Sequence, residues 1–213
     1  MVTVVDYGMG NLRSVSKALE RLGASVRVTS DPAHVENAAK VILPGVGAFG
    51  AAMAELRRLN LVEPIRSAIT GGTPYLGICL GLQLLFEESE ENPGVKGFGV
   101  FKGMVKRFSF HSSLGTEHSS LKVPHMGWNQ VLSAASGAQN GCPLMTGIPA
   151  GSFFYFVHSY YAQPEDRSLV LLESEYGARF PVMIGRGTTF ATQFHPEKSQ
   201  VLGLRLLDNF LTL

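Results

Sequence analysis

Cysteine and tryptophan are both scarce in this chain: its 213 residues hold two cysteines, Cys79 and Cys142, and a single tryptophan, Trp128. Two cysteines so spaced make neither a disulfide framework nor a zinc-type ligand set, so no metal is expected. Free thiols suit a reducing cytosol. An excess of one charge is missing too. Lys and Arg number 18 against 17 Asp and Glu, a net charge of +1, which provides no field for a nucleic acid or a membrane surface. No apolar run reaches membrane-span length, and the opening Met-Val-Thr-Val-Val-Asp has no basic stretch before its apolar one. Neither a span nor a secretory signal is expected. There is no internal repeat and no linker. With 45% hydrophobic residues the chain has material for a sizeable core, and one domain over 1–213 is expected.

What is present changes rhythm halfway along. Residues 2–6 are an apolar run, and Leu12, Val15, Leu19 and Leu22 then recur at helical spacing before Gly23. Strands are predicted at 26–29, 41–43 and 75–78, and helices at 51–59 and 63–70. Repeated βα units of this length predict an α/β fold: an open, mostly parallel central sheet with helices on both faces. Further on, 100–108, 152–161, 169–174, 181–185 and 188–194 are β-like and separated by glycines and short turns. They predict an added mixed or antiparallel β region in the second half. Residues 201–211 form a closing amphipathic helix, and the polar stretch 109–122 reads as a surface loop.

The chemistry concentrates at Tyr75-Leu-Gly-Ile-Cys79-Leu-Gly81-Leu-Gln83 and, far downstream, at His195-Pro196-Glu197. A thiol needs a base to become a thiolate at neutral pH, and the base needs a third group to orient it. Cys79, His195 and Glu197 supply these roles. Gly77 and Gly81 flank the cysteine at i−2 and i+2, which lets a strand turn sharply into a helix expected over 82–86. The positive end of that helix favours a thiolate. Residues 189–194 read as a strand, and an extended His195-Pro196-Glu197 would put imidazole and carboxylate on one side. Cys142-Pro143 sits in a loop-like stretch with no base nearby and reads as inert. His34, His111 and His118 lie in polar stretches and read as solvated, whereas His125 and His158 fall in compact motifs.

Gly45-Val-Gly47-Ala-Phe-Gly50 is formally a dinucleotide-binding pattern. It follows the third strand instead of the first, and the expected acidic partner is missing. An oxyanion hole is the better use. One backbone N–H would come from Leu80, the other from Val46 or Gly47.

The segments Pro-Gly-Val-Gly-Ala-Phe, Gly-Ile-Cys-Leu-Gly-Leu-Gln and Gln-Phe-His-Pro-Glu, in this order, resemble the class I (triad) glutamine amidotransferases. Three more segments, Asp6-Tyr-Gly-Met-Gly-Asn11-Leu, Pro124-His-Met-Gly-Trp128-Asn and Tyr155-Phe-Val-His158-Ser-Tyr160, resemble the branch of that family serving histidine biosynthesis. The resemblance covers nearly the whole chain. It implies glutamine hydrolysis through a cysteine thioester, with no cofactor. Gln83 and Glu91 would bind the substrate, and the backbone around His158, Ser159 and Tyr160 would receive its α-carboxylate side. Charge alone does not single out Glu91 from Glu87-Glu-Ser-Glu-Glu91; the resemblance does. The resemblance also implies a heterodimer with a (β/α)₈ cyclase that uses the ammonia to make imidazole glycerol phosphate and an aminoimidazole carboxamide ribotide.

Three rivals remain in view. One is a nucleotide-binding module on residues 45–50. Another is a Cys–His peptidase, although Gln83 and Glu91 suit an amino acid better than a peptide. The last is a different triad amidotransferase, against which residues 6–12 and 124–129 argue. Pro124, Met126 and Trp128 form an apolar segment beside a polar loop, read either as core packing for Trp128 or as a docking face. The resemblance favours docking, with Asn11, Tyr155 and Lys198 on the same face. Docking is expected to set the 45–47 turn so that an oxyanion donor points inward only in the complex.

Overall fold

The computed structural model describes residues 1–109, 121–134 and 142–213. The first half alternates strand and helix as the sequence predicts, with one short helix, Pro32–Glu36, that the sequence reading did not give. Strands β1 (Val2–Val5), β2 (Val26–Thr29), β3 (Val41–Gly45) and β4 (Tyr75–Cys79) are separated by helices α1 (Leu12–Arg21), α2 (Pro32–Glu36), α3 (Phe49–Arg58) and α4 (Val62–Thr70), and β4 runs straight into α5 (Leu80–Gln83). The second half is mostly strand: β5 (Glu88–Ser89), β6 (Gly103–Arg107), β7 (His125–Gln130), β8 (Leu132–Ser133), β9 (Phe153–His158), β10 (Tyr160–Pro164), β11 (Val170–Glu175), β12 (Arg179–Arg186) and β13 (Thr189–Thr192), closed by α6 (Gln200–Leu211).

Eight strands build the central sheet in the order β2-β1-β3-β4-β13-β12-β11-β8. From β2 to β13 the pairings are parallel; from β13 outward they are antiparallel. Successive side chains of a strand point to opposite faces, and they divide here between two cores. Val4, Ile42, Leu76 and Ile78 pack with Leu19 of α1 and with Leu206 and Phe210 of α6. Val5, Leu43 and Tyr75 pack on the other side with Phe49 and Met53 of α3 and Ile65 of α4. Burial on both faces is why β1, β3 and β4 read as near-continuous apolar runs.

The structure departs from the sequence reading in two places that shape the site. The strand expected over 152–161 breaks at Ser159. β9 pairs with β7 in a separate two-stranded ladder, whereas β10 joins β6. The reason is packing: Phe154 and Phe156 serve one core and Ala162 the other, so the chain must cross between them. The helix expected over 82–86 is a single turn. The carbonyls of Leu84, Leu85 and Phe86, which a longer helix would use, accept instead from the N–H groups of Phe98 (2.8 Å), Val100 (2.9 Å) and Gly99 (3.3 Å). The strand expected over 100–108 contracts to β6. Most of the predicted 109–122 loop, with His111 and His118, lies outside the described residues. Among those described, no helix is long and apolar enough to cross a membrane.

Candidate active site

Cys79 is both the last residue of β4 and the N-cap of α5, at φ 55° and ψ −103°. A residue with a side chain holds such a conformation only when its surroundings impose it. The flanking glycines impose it here. A Cβ on Gly81 would run into the Leu43 carbonyl, and one on Gly77 into the Gly81 carbonyl. The turn therefore presses against the neighbouring strand, and the thiol stands at the carboxyl end of the parallel strands, where open α/β sheets place their ligand sites.

β13 lies beside β4, with Thr192 opposite Ile78, so the residues after β13 arrive next to the thiol. His195 is extended at φ −100° and ψ 96°, but Pro196–Lys198 form a 3₁₀ turn instead of a continued strand. Glu197 reaches His195 through this turn, not by strand alternation. His195 Nδ1 lies 2.8 Å from Glu197 Oε1, with both side chains at most 2% exposed. Ser199 Oγ holds the turn, donating to the His195 carbonyl at 2.7 Å and accepting from Tyr155 N–H at 3.0 Å. His195 Nε2 is buried and has no conventional hydrogen bond among the described residues; its electrostatic partner is the Cys79 sulfur. Burial opposes a charged imidazole, but the sulfur and the Glu197 carboxylate outweigh it and push the His195 pKa up to about 10.

A cavity of about 350 Å³ opens over the thiol, within the range of small-molecule sites, roughly 300–1,000 Å³. Val46, Gly47, Cys79, Leu80, Gln83, Glu91, Pro124, Val157, His158, Ser159 and Tyr160 line it. Two of the expected substrate ligands already have protein partners. Gln83 Nε2 donates to the Tyr160 carbonyl at 3.1 Å and to Gln193 Oε1 at 3.2 Å. Glu91 Oε2 accepts from Phe49 N–H at 2.7 Å, at the start of α3, where a helix favours negative charge. Gly47 has φ +97°, which suits glycine.

The β7–β9 ladder carries three of the residues singled out for docking, Met126, Trp128 and Tyr155. Trp128 lies opposite Tyr155 in register, their rings 6.2 Å apart and edge-on, and Lys198 Nζ sits 5.7 Å from the Tyr155 ring. Met126 is 62% exposed and Trp128 47%. The core-packing reading of Trp128 is therefore overturned: alternation sends His125 inward and Trp128 outward. Asn11 occupies the N-cap position of α1, after β1, without a side-chain cap bond. His34 is exposed as expected, and Cys142 is buried, which pushes its thiol pKa up.

Several residues at the site escaped sequence reasoning. Gln193 Nε2 donates to Cys79 Sγ at 3.6 Å; its position two before His195, in the strand expected over 189–194, was the available signal. Phe153, 54% exposed, extends the outward row of the ladder. Tyr7 Oη is buried without a hydrogen-bond partner among the described residues, and burial together with the Cys79 charge pushes its pKa up. Among the described residues no group of three or more His, Cys, Asp or Glu could hold a metal ion.

The chain is 50% identical over 210 residues to the imidazole glycerol phosphate synthase subunit HisH of Syntrophotalea carbinolica, covering 99% of this chain and 98% of that protein. It is 52% identical over 209 residues to the subunit of the same name from Moorella thermoacetica, covering 98% and 93%. Among solved structures, PurLQS from Thermotoga maritima superposes with a TM-score of 0.73 at 20% identity, over 99% of this chain and 97% of that one. A crystal structure of a glutamine amidotransferase gives 0.71 at 21%, over 100% and 98%. At that identity these two speak for the fold alone. The family model of class-I glutamine amidotransferases matches residues 3–213, and the chain belongs to that family.

Proposed function

We propose that this chain is the glutaminase subunit of an imidazole glycerol phosphate synthase. It hydrolyses glutamine and passes the ammonia to a (β/α)₈ cyclase, with which it forms a heterodimer in the cytoplasm. The observation that carries the reading is a buried imidazole–carboxylate pair set behind a thiol at the floor of a small cavity. The half-identical, full-length relatives narrow the assignment to this synthase.

Cys79, as thiolate, attacks the carboxamide carbon of glutamine, and the C=O electron pair moves onto oxygen. Backbone N–H groups of Leu80 and of Val46 or Gly47 hold that oxyanion. His195 gives its proton to the amide nitrogen as the C–N bond breaks, so ammonia leaves and a glutamyl thioester remains. The raised pKa of His195 keeps this proton in place at neutral pH. Water then attacks the thioester, passing its proton to His195, and C–S cleavage returns glutamate and the thiolate. Glu197 holds the imidazole through Nδ1. In this reading Glu91 faces the substrate ammonium, its charge shared with the α3 N-terminus, and the α-carboxylate lies along the backbone of Ser159 and Tyr160, braced by Gln83. Asn11, Pro124, Met126, Trp128, Tyr155 and Lys198 form the docking face.

The test is Cys79→Ala in the complete complex. Glutamine-dependent synthesis falls by roughly 10⁶-fold, the scale of losing a nucleophile, while synthesis from added ammonia continues. Substantial glutamine use by this variant would remove the triad assignment.

A further inference from the structure

A run of hydrogen bonds links the outer ladder to the cavity wall. Asn129 Nδ2 donates to the Glu175 carbonyl at 2.9 Å and to His125 Nε2 at 3.2 Å. Asn129 Oδ1 accepts from Gln130 N–H at 2.7 Å, so backbone groups on both sides set the orientation of this amide. At the other end His158 Nδ1 lies 2.8 Å from the Tyr160 carbonyl, which can only accept. His158 Nδ1 therefore carries the proton and Nε2 does not. His125 Nδ1, 3.0 Å from that bare nitrogen, must donate to it, which leaves His125 Nε2 free to accept from Asn129. Fixed backbone groups thus determine both tautomers.

The surroundings keep this arrangement. His125 stacks on Tyr176 at 4.1 Å and on Phe156 at 4.9 Å. His158 sits 5.3 Å from Phe108 and 5.5 Å from Phe180. Neither histidine is more than 5% exposed. Burial pushes His125 down to about 4 and His158 down to about 3, so both rings are neutral at working pH. The run ends on the Tyr160 carbonyl, which also accepts from Gln83 on its cavity side.

We propose that Asn129, His125 and the His158 side chain are positioning residues for the glutamine subsite: their ordered hydrogen bonds fix the Ser159–Tyr160 backbone against Gln83. This rests on the reading of the cavity as the glutamine site. Aromatic packing alone makes a different demand. If His125 only filled space, leucine would replace it better than asparagine would. If its Nδ1–H matters, asparagine, which offers an N–H at that position, is the better substitute.

The experiment uses the complex with the cyclase and compares glutamine- and ammonia-dependent synthesis. His125→Leu raises KM for glutamine by about five- to tenfold with a smaller change in kcat, the scale of one unmade buried hydrogen bond. His125→Asn stays much closer to the parent, and ammonia-dependent synthesis is unchanged in both. Asn129→Leu, at a half-buried position, raises KM in the same direction and carries the test alone if His125→Leu does not fold. An unchanged KM in Asn129→Leu, or a worse KM for asparagine than for leucine at position 125, overturns the proposal. Cys79→Ala runs alongside. If it still used glutamine, the site assignment itself would fail; if it is dead while the KM values stay flat, only the positioning chain is lost.

Discussion

Cys79 holds a backbone conformation that its neighbours enforce, and the enforcement is local enough to read from Gly-x-Cys-x-Gly. The close approach of Gly81 to the Leu43 carbonyl makes Gly81→Ala costly even though the added group is one methyl. The turn must move away from β3, with a stability loss of about 1–3 kcal/mol, the scale of overpacking, and a loss of glutaminase activity larger than the stability change explains. Urea unfolding beside a glutaminase assay checks this; a variant that is destabilised yet fully active would show that the tight turn serves packing alone. At His195 and Glu197 the costs should differ. Removal of the base in His195→Ala should approach that of Cys79→Ala, whereas Glu197→Gln, which keeps a side chain of similar shape, should cost less, roughly 10⁴-fold. Single-turnover kinetics of the complex measure both. Gln193 shows where reading by residue stops. Its position two before His195 marks it as a neighbour of the site, but its bond to the Cys79 sulfur spans 114 positions, and that partner is set by the pairing of distant strands.

The β7–β9 ladder separates two sets of side chains by simple alternation. His125, Phe154, Phe156 and His158 turn inward; Met126, Trp128, Phe153 and Tyr155 turn toward the proposed partner. Trp128→Ala should therefore leave the melting temperature of the free subunit nearly unchanged and weaken cyclase binding by about 2–4 kcal/mol, the scale of an interface hot spot. Calorimetric titration and thermal unfolding together decide it, since a fall in melting temperature with unchanged affinity would return Trp128 to a structural role. Element types were readable where periodicity was clean, as in β1, α1 and β3. They were not readable where a distant segment competes for backbone groups. Residues 98–100 cut α5 to one turn, and the demands of two cores split the strand expected over 152–161 at Ser159. Neither competitor leaves a mark in the local pattern it overrides.

At the scale of the molecule, the buried histidines His125, His158 and His195 pull stability in opposite directions with pH. His195 is held protonated, with a folded pKa of about 10 against 6.5 when free, so its contribution is complete below 6.5 and disappears as pH rises through 10. His125 and His158 are held neutral, so theirs is complete above 6.5 and disappears as pH falls toward about 4 and about 3. Thermal stability should peak near neutral pH. His195→Gln should flatten the alkaline limb and His125→Asn the acidic one, as melting temperatures across the range will reveal; unaltered limbs in both variants would mean other groups govern them. The fold class was visible in the alternation of elements, but the place of β13 was not, because its pairing with β4 joins segments more than 100 residues apart. That late insertion has a consequence for the chain as it is made. Cys79 emerges with the early strands, yet the edge of β4 that will bring it a base stays empty until β5 to β12 have been synthesised. A nascent or half-folded chain thus carries a thiol without its imidazole, and glutamine is spent only by molecules in which β13 has already taken its place beside β4.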